Sequence, residues 1–139
     1  MSTLPSCKIL ERVHNIGGHT VLGLTVLVQI DEVAKYKSED AFIEGFSAHE
    51  LALCQGHRKG EHSLAARYAA KRAAEALIGE PWQSFEVVRY HDQPPSLQRR
   101  GVSERLDHHL EGSNLRALLS LTHDEPIAAA HLVIMSPAV

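Results

Sequence analysis

Basic side chains concentrate in one alanine-rich stretch of the sequence. Between His57 and Ala76 the chain carries five Lys and Arg residues against two Glu residues, a local charge of +3. A surface with this charge attracts anions in general. Arg72 is the most informative residue of the stretch. It either pairs with Glu75 at i+3 on the helix surface or donates hydrogen bonds to a bound anion or oxyanion.

A second group of candidates consists of one histidine and two carboxylates. His123 lies between Thr122 and Asp124 at the junction of two predicted strands. An imidazole suits proton transfer near neutral pH, and Asp124 is placed to orient it; the alternative is a structural histidine within a turn. Asp31 and Glu32 end a strand-like segment. They are candidates for a general base, or else they are solvated at the start of a helix.

The other histidines and the cysteines predict no metal site. The chain has ten His and two Cys residues. His108 and His109 point to different faces of one predicted helix, and His62 lacks a partner at the spacing of zinc ligands. Two cysteines are too few for a disulfide framework, so we expect a reducing compartment.

The composition is that of a globular domain. The 139 residues are 44% apolar and 22% charged, which suits one domain with one core. The formal net charge is −3, so the chain lacks the basic character of a nucleic-acid-binding protein. We find neither a signal region nor an apolar run long enough for a transmembrane helix. We therefore expect a cytoplasmic protein with no nucleic-acid or membrane partner.

Hydrophobic patterns predict strands at both ends of the chain and helices between them. Gly17 and Gly18 permit the positive φ angles of a hairpin turn between the first two strands. Turn-forming residues at 91–96 follow the third strand, and residues 122–126 join the last two. The predicted strands are residues 7–14, 20–30, 85–90, 115–121 and 127–135.

Helix starts are marked by capping residues. Ser38 is one candidate N-cap, and Ser47 with Glu50 forms a capping box three residues apart. Residues 63–78 form the strongest helix, which stops at Gly79, and residues 102–110 form a short one. A stripe of small residues on the long helix predicts close packing. The element order indicates an α+β domain whose mostly antiparallel sheet packs on the long helix.

Three segments together resemble the holo-acyl-carrier-protein synthase family, the small 4′-phosphopantetheinyl transferases. They are QIDEVAKY at Gln29 to Tyr36, the stretch from FIEGFSAHELALC to SLAARYAAKRAAEALIG at Phe42 to Gly79, and SLTHDEPIAAAHLVI at Ser120 to Ile134. The order and spacing of the segments match the family, and the middle segment is the most specific. We expect a single domain over residues 1–139, in which residues 20–139 resemble the family and residues 1–19 are an extra N-terminal extension that forms a strand.

The resemblance implies a 4′-phosphopantetheinyl transferase-like fold and a homotrimer with active sites between subunits. Family members transfer phosphopantetheine from coenzyme A to a carrier-protein serine, with Mg²⁺ held by an Asp after the first strand and a Glu on the long helix. By the same resemblance, Arg67, Lys71 and Thr122 are expected to bind the cofactor or another anionic ligand, and His123 matches a family histidine near the nucleotide.

This sequence departs from the family pattern at the positions that carry its chemistry. An ungapped alignment places Gln29 at the Asp ligand, Arg72 at the Glu ligand and Ala76 at a helix Lys that points at the phosphate. Between Asp31 and Cys54, two Lys residues stand against six Asp and Glu residues, a charge of −4. That charge repels an acidic carrier protein, which would weaken docking. Whether acyl carrier protein is a partner is therefore left open.

These departures favour a repurposed enzyme. We expect metal-independent acid–base chemistry, such as cyclisation, dehydration or isomerisation, on a free or carrier-bound acyl or polyketide-like substrate, with Arg72, His123, Asp31 and Glu32 as the reacting set. We expect this chemistry to need no cofactor. One alternative is an active synthase that uses coenzyme A and magnesium. The other is a non-catalytic binding or scaffold protein.

Overall fold

The computed structural model describes residues 4–55, 60–89, 95–100 and 116–135. Over these residues the chain forms a four-stranded antiparallel sheet, a separate two-stranded hairpin and four helices. The α+β fold with a mostly antiparallel sheet and a long helix is therefore confirmed. Within the described residues, no helix is long and apolar enough to span a membrane.

The first two strands form a long hairpin. β1 (Cys7–Ile16) pairs antiparallel with β2 (His19–Gln29). Gly17 and Gly18 make the turn with φ angles of 56° and 82°, a region that glycine adopts without steric cost. The prediction of a hairpin at this place is confirmed, and the N-terminal extension contributes an edge strand to the main sheet.

The last two strands complete that sheet. β5 (Arg116–Asp124) and β6 (Ile127–Met135) pair antiparallel, and β6 also pairs with β2, so the strand order is β1-β2-β6-β5. The prediction of a connection over residues 122–126 was too long. Thr122 and His123 belong to β5, because the ladder with Ala129 and Ala128 continues to the turn.

Four helices follow β2 in the order α1 (Ile30–Lys35), α2 (Asp40–Ile43), α3 (Ala48–Gln55) and α4 (Gly60–Ile78). The alternative that Asp31 and Glu32 stand at the start of a helix is confirmed, since both lie in the first turn of α1. The predicted strand over residues 20–30 ran one residue too far, because the buried Ile30 prolongs the apolar pattern of β2. The N-cap of α2 is Glu39 rather than Ser38. The capping box of α3 is confirmed: Ser47 N donates to Glu50 Oε1 at 3.0 Å, and Glu50 N donates to Ser47 Oγ at 3.1 Å.

A short hairpin covers the end of the long helix. After one turn of 3₁₀ helix at Trp82–Ser84, β3 (Phe85–Val88) pairs with β4 (Ser96–Arg99). Part of the predicted turn at 91–96 thus belongs to a strand at Ser96. The predicted helix at residues 102–110 lies outside the described residues.

The core lies between α4 and one face of the main sheet. Buried residues of β2 and β6 pack against the small residues of α4, among them Ala66, Ala70 and Ala73. Four buried aromatic side chains fill the space between the helices and the short hairpin, with ring centroids 5.2–5.6 Å apart: Phe42, Phe46, Tyr68 and Trp82. The small-residue stripe is therefore the packing face of α4 within the chain.

Candidate functional site

Several predicted site residues gather where three strands of the main sheet end or begin. Gln29, the last residue of β2, pairs with Ile127 at the start of β6, and β5 ends opposite the same residue. The backbone N–H of Ile30 donates to Pro126 O at 2.9 Å, which ties the start of α1 to the β5–β6 turn. Gln29 and His123 are both exposed at this end of the molecule.

The start of α4 brings a second histidine to His123. His62 Nδ1 lies 3.4 Å from His123 Nδ1, and its Nε2 lies 2.8 Å from Glu125 Oε1. The side chain of His62 is 13% exposed, whereas that of Glu125 is 72% exposed. Sequence reasoning missed His62 and Glu125, because they are separated by 63 positions and only the packing of α4 on the sheet brings them together.

Arg72 faces the opposite edge of the sheet, next to the start of β1. Its Nη1 donates to the hydroxyl of Tyr68 at 2.7 Å, and that hydroxyl donates to Pro5 O at 2.8 Å. Its Nε forms an ion pair with Glu75 Oε1 at 3.0 Å, without the angle of a hydrogen bond. Burial raises the pKa of Tyr68 to about 12, although the charge of Arg72 acts against this shift. The predicted i+3 pairing of Arg72 with Glu75 is therefore present in the structure.

The two candidate carboxylates of α1 differ in their surroundings. Glu32 is half-buried and its Oε1 accepts a 2.8 Å hydrogen bond from the backbone N–H of Ser6. Asp31 is exposed. Because the bond from Ser6 holds the start of β1 against α1, Glu32 serves first as an anchor for the N-terminal strand. A general-base role for either residue remains a prediction.

Lys71 and Arg67 belong to a buried network around Glu50. Lys71 Nζ donates to Glu50 Oε1 at 2.5 Å and to Gly45 O at 2.8 Å, and the Lys71 and Glu50 side chains are both fully buried. Arg67 donates to Ser63 and lies 4.0 Å from Glu50 Oε2. Burial lowers the pKa of Lys71 to about 8, and the nearby Glu50 carboxylate only partly offsets this. A fully buried and paired Lys71 is poorly placed to bind a cofactor. Cofactor binding by Lys71 stays a prediction.

Arg72 and His123 do not meet within one chain. They lie at opposite edges of the sheet, since Arg72 neighbours β1 whereas His123 belongs to β5. Ten residues separate Arg72 from His62, the contact of His123, which is about 15 Å along an α-helix. A pocket that uses both residues therefore requires two subunits.

Magnesium does not fit the positions to which the family resemblance assigns its ligands. Gln29 offers a neutral amide, and the guanidinium of Arg72 repels a divalent cation. The half-buried carboxylates of this region are already engaged, Glu32 by the backbone N–H of Ser6 and Glu75 by Arg72. Across the part of the chain that the structure describes, no three His, Cys, Asp or Glu residues form a group that could hold a metal ion.

Comparison with known proteins places the chain in a family. No family model matches it. The holo-(acyl-carrier-protein) synthase of Myxococcus xanthus is 35% identical over 95 residues, which are 66% of this chain and 72% of that protein. The synthase of Solibacter usitatus is 29% identical over 117 residues, which are 78% of this chain and 92% of that protein.

A solved structure supports the same assignment. An ACPS–CoA complex from Chronobacterium ammoniagenes superimposes with a TM-score of 0.60 and 27% identity, over 84% of this chain and 96% of that one. The chain belongs to the holo-acyl-carrier-protein synthase family.

Proposed function

We propose that the chain transfers 4′-phosphopantetheine from coenzyme A to a serine of a carrier protein. The observation that carries this proposal is the match to the Myxococcus xanthus synthase, at 35% identity over 72% of that protein. The ACPS–CoA complex, at 27% identity, adds that a similar chain of this fold binds coenzyme A.

The reaction is a phosphoryl transfer. The serine oxygen forms a bond to the pantetheine-bearing phosphorus, the bond from that phosphorus to the bridging oxygen breaks, and 3′,5′-ADP leaves. In this chain the exposed end of β5, with Thr122 and His123, is the surface that contacts the ligand. His123 accepts the serine proton or transfers it to a neighbouring group. Its ring is exposed, and His62 lies next to it as a second imidazole. No step is assigned to Mg²⁺, since Gln29 and Arg72 do not fit that ion.

One observation favours a second candidate. With Gln29 and Arg72 at the family's metal positions, the local charge is inverted from two carboxylates to one guanidinium. A pocket of this kind suits metal-independent acid–base chemistry on an acyl or polyketide-like substrate, such as cyclisation, dehydration or isomerisation. Arg72 would stabilise the anion in that chemistry, with His123, Asp31 and Glu32 as proton-transfer groups.

Mass spectrometry of an apo carrier protein separates the two candidates. The carrier is incubated with coenzyme A and this chain, with and without Mg²⁺, and the Myxococcus xanthus synthase serves as the matched positive control. The proposal requires the carrier to gain the mass of one phosphopantetheine. No gain, together with measurable binding of coenzyme A, would overturn transfer and leave the acid–base candidate. No gain and no binding would leave a scaffold role.

A variant sharpens this test. Gln29→Asp combined with Arg72→Glu and Ala76→Lys restores the residue types that the family carries at these positions. If the chain is a transferase limited by these positions, the triple variant modifies the carrier faster than the native chain and depends on Mg²⁺. Equal, absent activity of both proteins would argue against transfer as the function of this fold here.

A further inference from the structure

The geometry points to a divalent transition-metal site formed by His62 and His123, with Glu125 holding His62 in its ligating tautomer. Three observations carry this proposal: the distance between two imidazole nitrogens, the mutual placement of the two rings, and the hydrogen bond on the far side of one ring. The site differs in kind from a magnesium site, because imidazole nitrogen suits zinc, copper, nickel or cobalt, whereas Mg²⁺ prefers oxygen ligands.

The separation of the two nitrogens matches that of neighbouring ligands on one ion. Zn–N bonds of about 2.0–2.1 Å at a tetrahedral angle place two nitrogens about 3.4 Å apart. The Nδ1 atoms of His62 and His123 are 3.4 Å apart. The same distance is near the outer limit for a hydrogen bond between the two ring nitrogens.

The rings also have the expected placement. Two imidazoles that both point a nitrogen at one tetrahedral zinc have ring centroids about 5.2 Å apart. The centroids of His62 and His123 are 5.1 Å apart, and the ring planes are inclined by 81°. Two Nδ1 atoms that pointed straight at each other would hold the centroids farther apart, so the two rings are inclined to each other, as two rings that share one ion are.

Glu125 fixes the tautomer that ligation needs. A carboxylate only accepts hydrogen bonds, so the 2.8 Å contact from His62 Nε2 to Glu125 Oε1 requires the proton on Nε2. In the neutral ring the lone pair then lies on Nδ1, the atom that faces His123. A carboxylate behind a ligating histidine is the usual second layer of protein metal sites.

The site is open. The described residues supply two ligands rather than three, so the remaining coordination positions are left to water or to an anionic oxygen of a ligand. Glu61, the nearest carboxylate in sequence to His62, is engaged by Lys37 Nζ at 2.6 Å. The site is thus expected to bind metal reversibly, and the binding does not depend on whether the chain transfers phosphopantetheine.

The proposal is tested with Zn²⁺ alone, without coenzyme A or carrier protein. Isothermal titration of the full chain is compared with His62→Ala, His123→Ala and Glu125→Gln. Because the chain has ten histidines, His14→Ala and Glu39→Gln, which are exposed and lie on other elements, serve as matched controls. Co²⁺ provides a second readout, since its visible absorption spectrum reports nitrogen ligation.

We expect His62→Ala and His123→Ala each to remove one equivalent of Zn²⁺ or to weaken it at least tenfold, whereas the controls bind as the native chain does. Glu125→Gln should weaken binding by about 10–100-fold, the usual effect of losing a second-layer carboxylate. Unchanged Zn²⁺ binding in both histidine variants would overturn the site and leave a plain hydrogen bond between His62 and Glu125. His123 is exposed, so His123→Ala keeps the test readable even if His62→Ala fails to fold.

Discussion

At the scale of single residues, the carboxylate of Glu50 serves several structural roles at once. It closes the capping box of α3 with Ser47, and it neutralises the buried ammonium of Lys71. Its second oxygen also accepts the backbone N–H of Val87 at 3.1 Å. A buried charge with this many partners is costly to leave alone, because water cannot replace the missing partner.

Removal of one partner of this pair should therefore destabilise the fold strongly. We expect Lys71→Met to lower the free energy of unfolding by about 3–5 kcal/mol, since the negative charge of Glu50 stays buried. The double variant Glu50→Gln/Lys71→Met should recover most of that loss. Lys35→Met, at an exposed position of α1, is the control and should change stability by less than about 0.5 kcal/mol. Urea denaturation measures all three, and a small loss in Lys71→Met would contradict the argument.

Lys71 also predicts a pH dependence. Its pKa in the folded chain is about 8, below the ordinary value of 10.5. Between these values the unfolded chain binds more protons than the folded chain, so the free energy of unfolding rises with pH. We expect native stability, relative to Lys71→Met, to increase between pH 8 and pH 10. Urea denaturation at several pH values checks this, and parallel curves for the two proteins would show that the pKa of Lys71 is normal.

Two glycines provide a matched pair for packing. A Cβ on Gly45 would overlap the indole ring of Trp82, whereas a Cβ on Gly23 would meet only Arg12 O, at 3.9 Å. We expect Gly45→Ala to cost about 1–3 kcal/mol, the usual cost of overpacking a core, and Gly23→Ala to be tolerated. Thermal melting of the two variants compares them directly. Equal melting temperatures would mean that Trp82 moves aside without cost.

At the scale of elements, side chains of α1 and α4 attach the start of the N-terminal strand to the rest of the fold. The hydroxyl of Tyr68 links Arg72 to Pro5 O, and Glu32 accepts the N–H of Ser6. The start of β1 is therefore fixed beside the position of Arg72. Arg72, Tyr68 and Pro5 thus form one hydrogen-bonded arrangement at the start of β1.

Tyr68→Phe tests this arrangement. The variant leaves the Pro5 carbonyl and the guanidinium of Arg72 without their shared partner, which should cost about 1–3 kcal/mol. We expect amide exchange to accelerate at the start of β1, from Cys7 onwards, and to stay unchanged in β6, which serves as the internal reference. Exchange that accelerates equally in both strands would indicate global destabilisation, and exchange that does not change would show that Tyr68 does not hold β1.

Sequence analysis predicted the elements that have a local sequence signal. It did not predict the contacts that depend on how distant segments pack together. The turn at Gly17 and Gly18 and the capping box at Ser47 are local signals, and both were confirmed. The strand before α1 was predicted one residue too long, because the buried Ile30 looks the same at the end of a strand as at the start of a short helix. The contacts of His62 with His123 and of Lys71 with Glu50 join distant segments, so no local pattern could have revealed them.

At the scale of the whole molecule, one face of the main sheet lacks a covering layer within the described residues. β2 turns Leu24, Val26 and Val28 towards α4, so its alternate residues face the other side. The strands paired with it place further apolar side chains on that side, and Leu118 of β5 is 68% exposed. The residues on this outward face include Leu10, Val21, Leu27, Leu118, Val133 and Met135.

This outward face is the surface on which we expect the chain to assemble as a homotrimer, because exposed apolar patches of this kind mark interfaces between subunits. Light scattering at micromolar concentration should give three times the 15.3 kDa of the chain. Leu118→Lys and Val133→Lys put charges on the face and should yield monomers, whereas Leu53→Lys, on the exposed side of α3, should not. Assembly also carries a consequence for the site, since Arg72 and His123 can share a pocket only across two subunits. A native monomer would contradict the trimer and, with it, any site that requires both residues.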